Sequence, residues 1–243
     1  MSVSVQDVAA FAKKMRVAVD TTKTKCVDGG YRAGEAEGAM AFAGGHIGVS
    51  MALVGLGLSP EEAFEVVYDY AKQAGQVFCW HTDTHEGHGC VVGCGHFNAS
   101  MGAAQHYGVS AEAMSELFES VKKAQEDRGN MGMIVLDRDH AEQAILVVTS
   151  TEYTVKPWDQ EDDVQYFIYD KVRHLELLKA VAAFAAEKGM DVTAEALIEA
   201  ADKQTNATLG LLGSSKGKQL FTVDVSSEEP VVEEVGVAPV IEA

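Results

Sequence analysis

Residues Gly38 to Pro60 read GAMAFAGGHIGVSMALVGLGLSP and contain no charged side chain. The stretch is long enough to cross a bilayer. However, it is rich in glycine, carries His46 and Ser50, and has acidic residues on both flanks, whereas a membrane helix typically has a basic cytoplasmic flank. We therefore predict that Met40–Leu56 forms a small-residue helix that is buried in a protein core and packs close to its neighbours.

The residues that follow contain a strong helix start. In Ser59-Pro60-Glu61-Glu62, the serine is a predicted N-cap, the proline takes the first helical position and Glu62 completes a capping box. This second helix is predicted to end near Gly75, because glycine is the preferred residue just after a helix.

Helical and strand patterns alternate along the rest of the chain. Apolar residues at helical spacing predict helices at Val5–Val19, Asn98–Tyr107, Ser110–Glu126, Asp170–Lys188 and Thr193–Leu211. Short apolar runs predict strands at a segment ending at Cys26 and at Gln76–His81, Met131–Leu136, Ala144–Thr149, Val164–Tyr169 and Gln219–Val225. Such alternation predicts an α/β fold, with a mixed β-sheet flanked by layers of helices.

Charge and cysteine content narrow the function classes. The 243 residues carry a net charge of −18, which argues against nucleic acid and against anionic membrane surfaces as partners. Met1–Phe11 lacks the basic and continuous apolar regions of a signal peptide. Four cysteines without an export signal favour a reducing, cytoplasmic location, where thiols serve as ligands, catalysts or core residues.

The C-terminal segment differs in composition from the rest. Ser226–Ala243 holds five glutamates and no basic residue, and such a composition has little apolar surface to bury. We predict a single domain over residues 1–225 followed by an acidic, disordered and dispensable tail. Docking of the tail elsewhere on the domain is the alternative.

One segment concentrates metal-binding side chains. Cys79–His96 reads CWHTDTHEGHGCVVGCGH and holds four of the eight histidines and three of the four cysteines. Imidazole and thiolate are good ligands for Zn²⁺ and similar ions. The donors exceed the number that one ion needs, so some are expected to lie outside the ligand set. Cys79 is predicted to face the core, and a Cys90–Cys94 redox pair is a further reading.

Cys26 lies far from this segment, at the end of a predicted strand, and the glycine-bearing turn Cys26-Val27-Asp28-Gly29-Gly30 follows. In α/β folds, sites gather where loops converge at strand ends. The four motifs C-V-D-G at Cys26, Gly44-Gly45, H-x-D at His81 and G-C-G around Cys94 together resemble the zeta-class carbonic anhydrases, which use cadmium or zinc. The resemblance extends from about Lys25 to about Val223 as a single repeat unit.

The resemblance implies a carbonic-anhydrase-like domain and a set of functional residues. By motif, the ligands of Zn²⁺ or Cd²⁺ would be Cys26, His81 and Cys94. His85 stays open as an alternative to His81, because the loop that leads to Cys94 is slightly longer here. The remaining residues match as follows: Asp28 would orient the reactive water, Asp83 would act within the metal loop, and Gly44 and Gly45 would let a helix approach the site.

The chain departs from the family at one catalytic position. The family's arginine in C-V-D-G-R pairs with the aspartate of the same motif, and Gly30 stands in its place here. Arg32 is the residue that could hold Asp28 instead.

The implied activity is a hydro-lyase that interconverts CO₂ and bicarbonate through a metal-bound hydroxide. The alternative is a non-catalytic zinc- or cadmium-binding or sensing protein on the same scaffold, in which His85 or Cys90 closes the fourth metal position. The oligomeric state is open.

Overall fold

A computed structural model describes residues 3–14, 20–26, 39–76, 78–79, 108–128, 133–134, 144–148, 166–216 and 219–235. Within these ranges the helices are α1 (Val5–Lys14), α2 (Gly45–Gly55), α3 (Pro60–Gln73), α4 (Ala111–Arg128), α5 (Lys171–Glu187) and α6 (Ala194–Lys216). The strands are β1 (Asp20–Cys26), β2 (Ala39–Phe42), β3 (Phe78–Cys79), β4 (Met133–Ile134), β5 (Ala144–Val148), β6 (Tyr166–Asp170), β7 (Gln219–Asp224) and β8 (Val231–Val235).

The strands form three hydrogen-bonded groups. β1 pairs with β2 and β3 pairs with β4, both in parallel, and a four-stranded sheet has the order β6-β5-β7-β8. In that sheet β6, β5 and β7 are parallel, while β8 runs antiparallel to β7. The groups are neighbours, because β1 contacts β3 and β2 contacts β6. The predicted α/β class with a mixed sheet is confirmed, and the layered arrangement of the helices stays a prediction.

Helix α2 lies at the centre of the core. Every residue from Gly45 to Leu53 is buried, and α2 contacts β1, β2, β3, α3, α4 and α6. An uncharged helix of small and apolar residues suits this position, since no side chain needs water. Across the described ranges, no helix combines the length and apolar character that a bilayer crossing requires. The predicted buried helix is thus confirmed.

Helix α3 begins as its sequence predicts. The Ser59 hydroxyl accepts a hydrogen bond from the Glu62 backbone N–H at 3.3 Å, and the Glu62 carboxylate accepts one from the Ser59 N–H at 3.0 Å. This is a complete capping box with Pro60 at the first turn. The helix ends at Gln73 with Ala74 as its C-cap, and Gly75 follows in the left-handed region with φ 66°.

The predicted secondary structure differs from the structure mainly at residues 39–42 and in the C-terminal tail. Residues 39–42 form strand β2, although the sequence predicted a helix from Met40, because backbone pairing with β1 takes precedence over the helical preference of these small residues. The predicted helices and strands elsewhere agree with α1, α4, α5, α6 and β4–β7 to within a few residues. The predicted helix Asn98–Tyr107 lies outside the described residues.

The predicted disordered tail requires correction. β8 lies within it and pairs with β7 along five residue pairs, from Leu220↔Val235 to Asp224↔Val231. Glu229 also forms an ion pair with Lys13 of α1, and Gln219 donates a hydrogen bond to Glu234 at 2.9 Å. Both glutamates of β8, Glu233 and Glu234, are exposed in this strand at the edge of the described sheet, so the acidic composition is compatible with a strand.

Removing β8 should therefore destabilise the protein. Ending the chain after Ser227 removes the whole β7–β8 ladder, and each lost ladder hydrogen bond contributes about 1 kcal/mol net. We expect the free energy of unfolding to fall by roughly 2–4 kcal/mol in urea titrations. A chain ending after Val235 keeps β8 and is the matched control. Equal stability of the two truncated chains would show that the tail is dispensable after all.

Candidate metal centre

Cys26 is the last residue of β1, and among the three predicted metal ligands it is the one whose backbone the structure describes. Its Cα partner across the parallel β1–β2 pair is Phe42, which is fully buried. The strand position agrees with the sequence prediction that Cys26 ends a strand. It also places Cys26 where the chain leaves the sheet, and loops that carry functional side chains commonly begin there.

Most of the other predicted site residues lie outside the described residues. These are the ligands His81 and Cys94, the residues Asp28, Arg32 and Asp83, and the alternatives His85, His88 and Cys90. Among the residues that the structure does describe, no three His, Cys, Asp or Glu side chains are grouped so that they could hold a metal ion. The structure thus places the backbone of one predicted ligand, Cys26, and the ligand set as a whole stays a prediction.

Gly44 and Gly45 form the reversal between β2 and α2. Both have positive φ, 74° and 57°, a region that glycine adopts without the steric cost that a Cβ would bring. Both residues are buried. Two successive residues of this kind turn the chain sharply, so α2 begins directly beside the end of β2 and hence beside Cys26 and its neighbour Phe42. Their predicted role beside a metal site stays a prediction.

His46 is a buried histidine in the second position of α2. It is fully buried, and both ring nitrogens have partners: Nδ1 lies 2.9 Å from the Thr24 hydroxyl of β1, and Nε2 lies 3.2 Å from Gln76 Oε1. Because the Gln76 oxygen can only accept, Nε2 carries the proton and donates. Nδ1 of the neutral ring then accepts from the Thr24 hydroxyl.

Burial keeps this imidazole neutral. Desolvation lowers the pKa of His46 from 6.5 to about 4, and the hydrogen bond to Gln76 opposes the shift in part. The pKa in the folded state is thus below that in the unfolded chain. As pH falls through 6.5, the unfolded chain takes up the proton first, so folded stability is lost progressively between about pH 6.5 and about pH 4.

We expect this histidine to contribute a measurable acid sensitivity. Between about pH 7.5 and about pH 5 the shift should cost roughly 2 kcal/mol of unfolding free energy. His46→Gln lacks the titrating group and should lose less stability over the same interval, as measured by urea unfolding of both proteins at each pH. A variant with the same pH slope as the unmodified chain would contradict this assignment.

A second buried histidine contacts Phe42. His174 of α5 stacks on the Phe42 ring with centroids 5.0 Å apart and an interplanar angle of 14°. Its Nδ1 lies 2.9 Å from the Tyr169 hydroxyl, and the pKa of Tyr169 is raised, mainly by desolvation and then by the nearby Asp202 charge. Phe42, the Cα partner of Cys26, thus stacks on a histidine that is itself hydrogen-bonded to Tyr169.

The described surface also contains a groove between α3 and α4. Its lining includes Glu61, Glu65, Glu119 and Lys123, and Arg128 there pairs with Glu65 at 2.7 Å. The lining residues contain neither histidine nor cysteine and come from these two helices and the N-cap region of α3. Its chemistry is that of a solvated acidic surface, so the candidate site remains the end of β1.

Comparison with known proteins bears on the fold. No protein-family model matches the sequence, and no curated protein sequence matches it. Among solved structures, a carbonic anhydrase domain from the marine diatom Thalassiosira weissflogii, domain 2 in a cadmium-bound form with acetate, has 19% sequence identity. The match covers 92% of this chain and 100% of that domain, with a TM-score of 0.53. The chain shares the overall fold of that domain.

The solved domain with a similar fold is itself a carbonic anhydrase, the enzyme class that the motifs resemble. The shared fold covers 92% of the chain, which is in line with a resemblance that extends over most of the sequence, while the ligand motifs stay a prediction. His46, Thr24 and Gln76 were not among the predicted site residues. A signal was present for His46, because a histidine within a charge-free apolar stretch must be buried and hydrogen-bonded. Its hydrogen-bond partners could not be predicted from the sequence, because they depend on how β1 and the end of α3 pack against α2.

Proposed function

We propose that this chain is a carbonic anhydrase-like hydro-lyase of the cytoplasm that interconverts CO₂ and bicarbonate. It would hold one Zn²⁺ or Cd²⁺ through Cys26, His81 and Cys94. The observation that carries this proposal is the carbonic anhydrase fold combined with Cys26 at the end of β1, next to the Gly44–Gly45 reversal.

The topology supports the ligand set. β3 contacts β1, and the chain leaves β3 at Cys79, two residues before His81. Of these two neighbouring strands, β1 ends at Cys26, and β3 ends two residues before His81. Two thiolates and one imidazole form a donor set that fits borderline and soft ions such as Zn²⁺ and Cd²⁺, and three protein ligands leave a position for water.

A bound ion would supply Lewis acidity, which lowers the pKa of coordinated water from about 15.7 towards about 7. The protein's own residues would do the rest. Asp28 would accept a hydrogen bond from the reacting water and orient it. Asp83 would steer the His81 ring, and a loop histidine such as His85, His88 or His96 would take up the released proton, since imidazole titrates near neutral pH.

Arg32 has a particular place in this scheme. Gly30 cannot pair with Asp28, and Arg32 is the next basic residue along the chain. A guanidinium forms strong, often bidentate hydrogen bonds to a carboxylate and would keep Asp28 ionised. Phe42, fully buried and stacked on His174, would form part of an apolar wall that suits CO₂.

The surplus of donors favours one alternative. His85, His88 and Cys90 lie between the proposed ligands, and a fourth protein ligand would close the position that water needs. The chain would then be a zinc- or cadmium-binding or sensing protein on an anhydrase-like scaffold.

Metal analysis beside a CO₂-hydration assay separates these functions. The purified protein is assayed as loaded with Zn²⁺ or Cd²⁺, after chelation, and after the ion is returned. Hydration above the buffered control that is lost on chelation and then restored supports catalysis. Full metal content with hydration equal to the control supports the sensing alternative, and no bound metal contradicts both.

A further inference from the structure

The His46 ring joins three elements around the proposed site. It stands on α2, and it contacts Thr24 on β1 and Gln76 in the connection between α3 and β3. Thr24 is two residues before Cys26, and Gln76 is two residues before the start of β3. α2 itself packs against both β1 and β3. One buried side chain therefore ties together the two strands that lead to Cys26 and towards His81.

The two hydrogen bonds have fixed directions. Because Gln76 Oε1 accepts from Nε2–H, the Thr24 hydroxyl is the donor to Nδ1. Each partner is specific, since an apolar side chain at position 46 or 24 would leave a buried polar atom unpaired, which costs more than the bond contributes. Packing alone does not explain an imidazole here, because burial of a polar ring is unfavourable without its partners.

We propose that His46 is a positioning residue that holds the Cys26 end of β1 in place for metal binding. This rests on the proposed function. Partners outside the ligand set orient the ligands of metal sites, and their loss typically weakens metal binding by about 10–100-fold. His46 acts one step further back: it orients the strand rather than the ligand. The ordered strand would lower the entropy that the chain must lose when it binds an ion.

The test compares two kinds of variant. One loses a buried hydrogen bond to the His46 ring, and the other loses a buried hydrogen bond that does not involve the ring. Thr24→Val keeps the shape of the side chain and removes the hydroxyl that donates to Nδ1. Ser50→Ala is the matched control, because the buried Ser50 hydroxyl donates to the His46 backbone oxygen at 3.3 Å on the same helix and does not contact the ring nitrogens. Thr24→Ser retains the hydroxyl and serves as the rescue variant.

The readouts are the Cd²⁺ dissociation constant, from competition with a chelator, and the unfolding free energy of the metal-free protein. We expect Thr24→Val to weaken Cd²⁺ binding by about 10-fold, Thr24→Ser to bind nearly as the unmodified chain does, and Ser50→Ala to change the constant by less than about 2-fold. Gln76→Leu, at a half-buried position, removes the partner of Nε2 and should weaken binding in the same direction.

The outcomes distinguish this inference from the function on which it rests. If Thr24→Val and Gln76→Leu bind Cd²⁺ as tightly as the unmodified chain, His46 has no positioning role. The same conclusion follows if Ser50→Ala weakens binding as much as Thr24→Val at equal loss of stability, because the effect would then be one of general packing. If the unmodified chain binds neither Cd²⁺ nor Zn²⁺, the proposed function itself is wrong.

Discussion

Cys26→Ser should abolish stoichiometric metal binding. The unmodified chain is expected to hold about one zinc or cadmium ion, because three protein ligands and water complete a four-coordinate site. A serine hydroxyl remains protonated near neutral pH and is a poor ligand for soft ions, so the site loses one of two thiolates. We expect residual metal content below about a tenth of an ion per chain after dialysis, as measured by mass spectrometry of the metal.

The control for this substitution is another cysteine. Cys79 belongs to β3 and is predicted to have a core role, so Cys79→Ala should keep its metal. Cys94→Ser should behave as Cys26→Ser does. Full metal content in Cys26→Ser would remove Cys26 from the ligand set, and full content in Cys94→Ser would instead point to Cys90.

Asp28→Ala should lose CO₂ hydration without losing the metal. A residue that accepts a hydrogen bond from the reacting water and orients it contributes to the rate on the scale of about 10²–10⁴-fold that is typical of groups engaged in proton transfer. We expect kcat/KM to fall by at least about 100-fold while metal content stays near that of the unmodified chain. Arg32→Ala should act in the same direction if Arg32 holds Asp28. The measurement is stopped-flow hydration of CO₂ at equal metal loading.

Matched controls exist on the outer surface. Asp69→Asn removes a half-exposed carboxylate that pairs with Lys188, and Arg128→Ala removes a guanidinium that pairs with Glu65. Neither should change turnover at equal loading. If Arg32→Ala hydrates CO₂ as fast as Arg128→Ala does, Arg32 does not substitute for the family's arginine. A normal rate in Asp28→Ala would exclude Asp28 from the reaction.

Local signals predicted much of the fold. Helix α3 follows from Ser59, Pro60 and Glu62, because capping is a contact between residues close in sequence. The parallel strands β5 and β6 follow from short apolar runs between helical segments. Such patterns predict whether a segment is a helix or a strand. The structure confirms the predictions that depended on this local choice alone.

The elements that were wrongly predicted depend on distant partners. Residues 39–42 contain no β-branched residue, and they form a strand because β1 supplies a ladder. Residues 231–235 include two glutamates, and they form a strand because β7 is available as a partner. Likewise, the His46 partners Thr24 and Gln76 come from separate elements. Pairing across the chain has no local pattern that a single sequence can show.

The candidate site was predictable only in part. A cysteine at a strand end followed by a glycine-bearing turn marked Cys26, and its place in β1 agrees with that prediction. Gly44 and Gly45 have the positive φ values of a reversal between β2 and α2, whereas the sequence predicted them inside a helix that begins at Met40. The choice of His81 over His85 and of Cys94 over Cys90 rests on motif order, because a loop rich in interchangeable donors offers no periodicity that selects among them.

The most direct test of the site is X-ray absorption at the metal edge of the zinc-loaded protein. An open Cys-His-Cys site predicts two sulfur neighbours at about 2.3 Å and two nitrogen or oxygen neighbours at about 2.0–2.1 Å, one from His81 and one from water. Cyanide or another small anion should replace the water and change only the light-atom neighbours. Three or more sulfur neighbours, or none, would contradict the account.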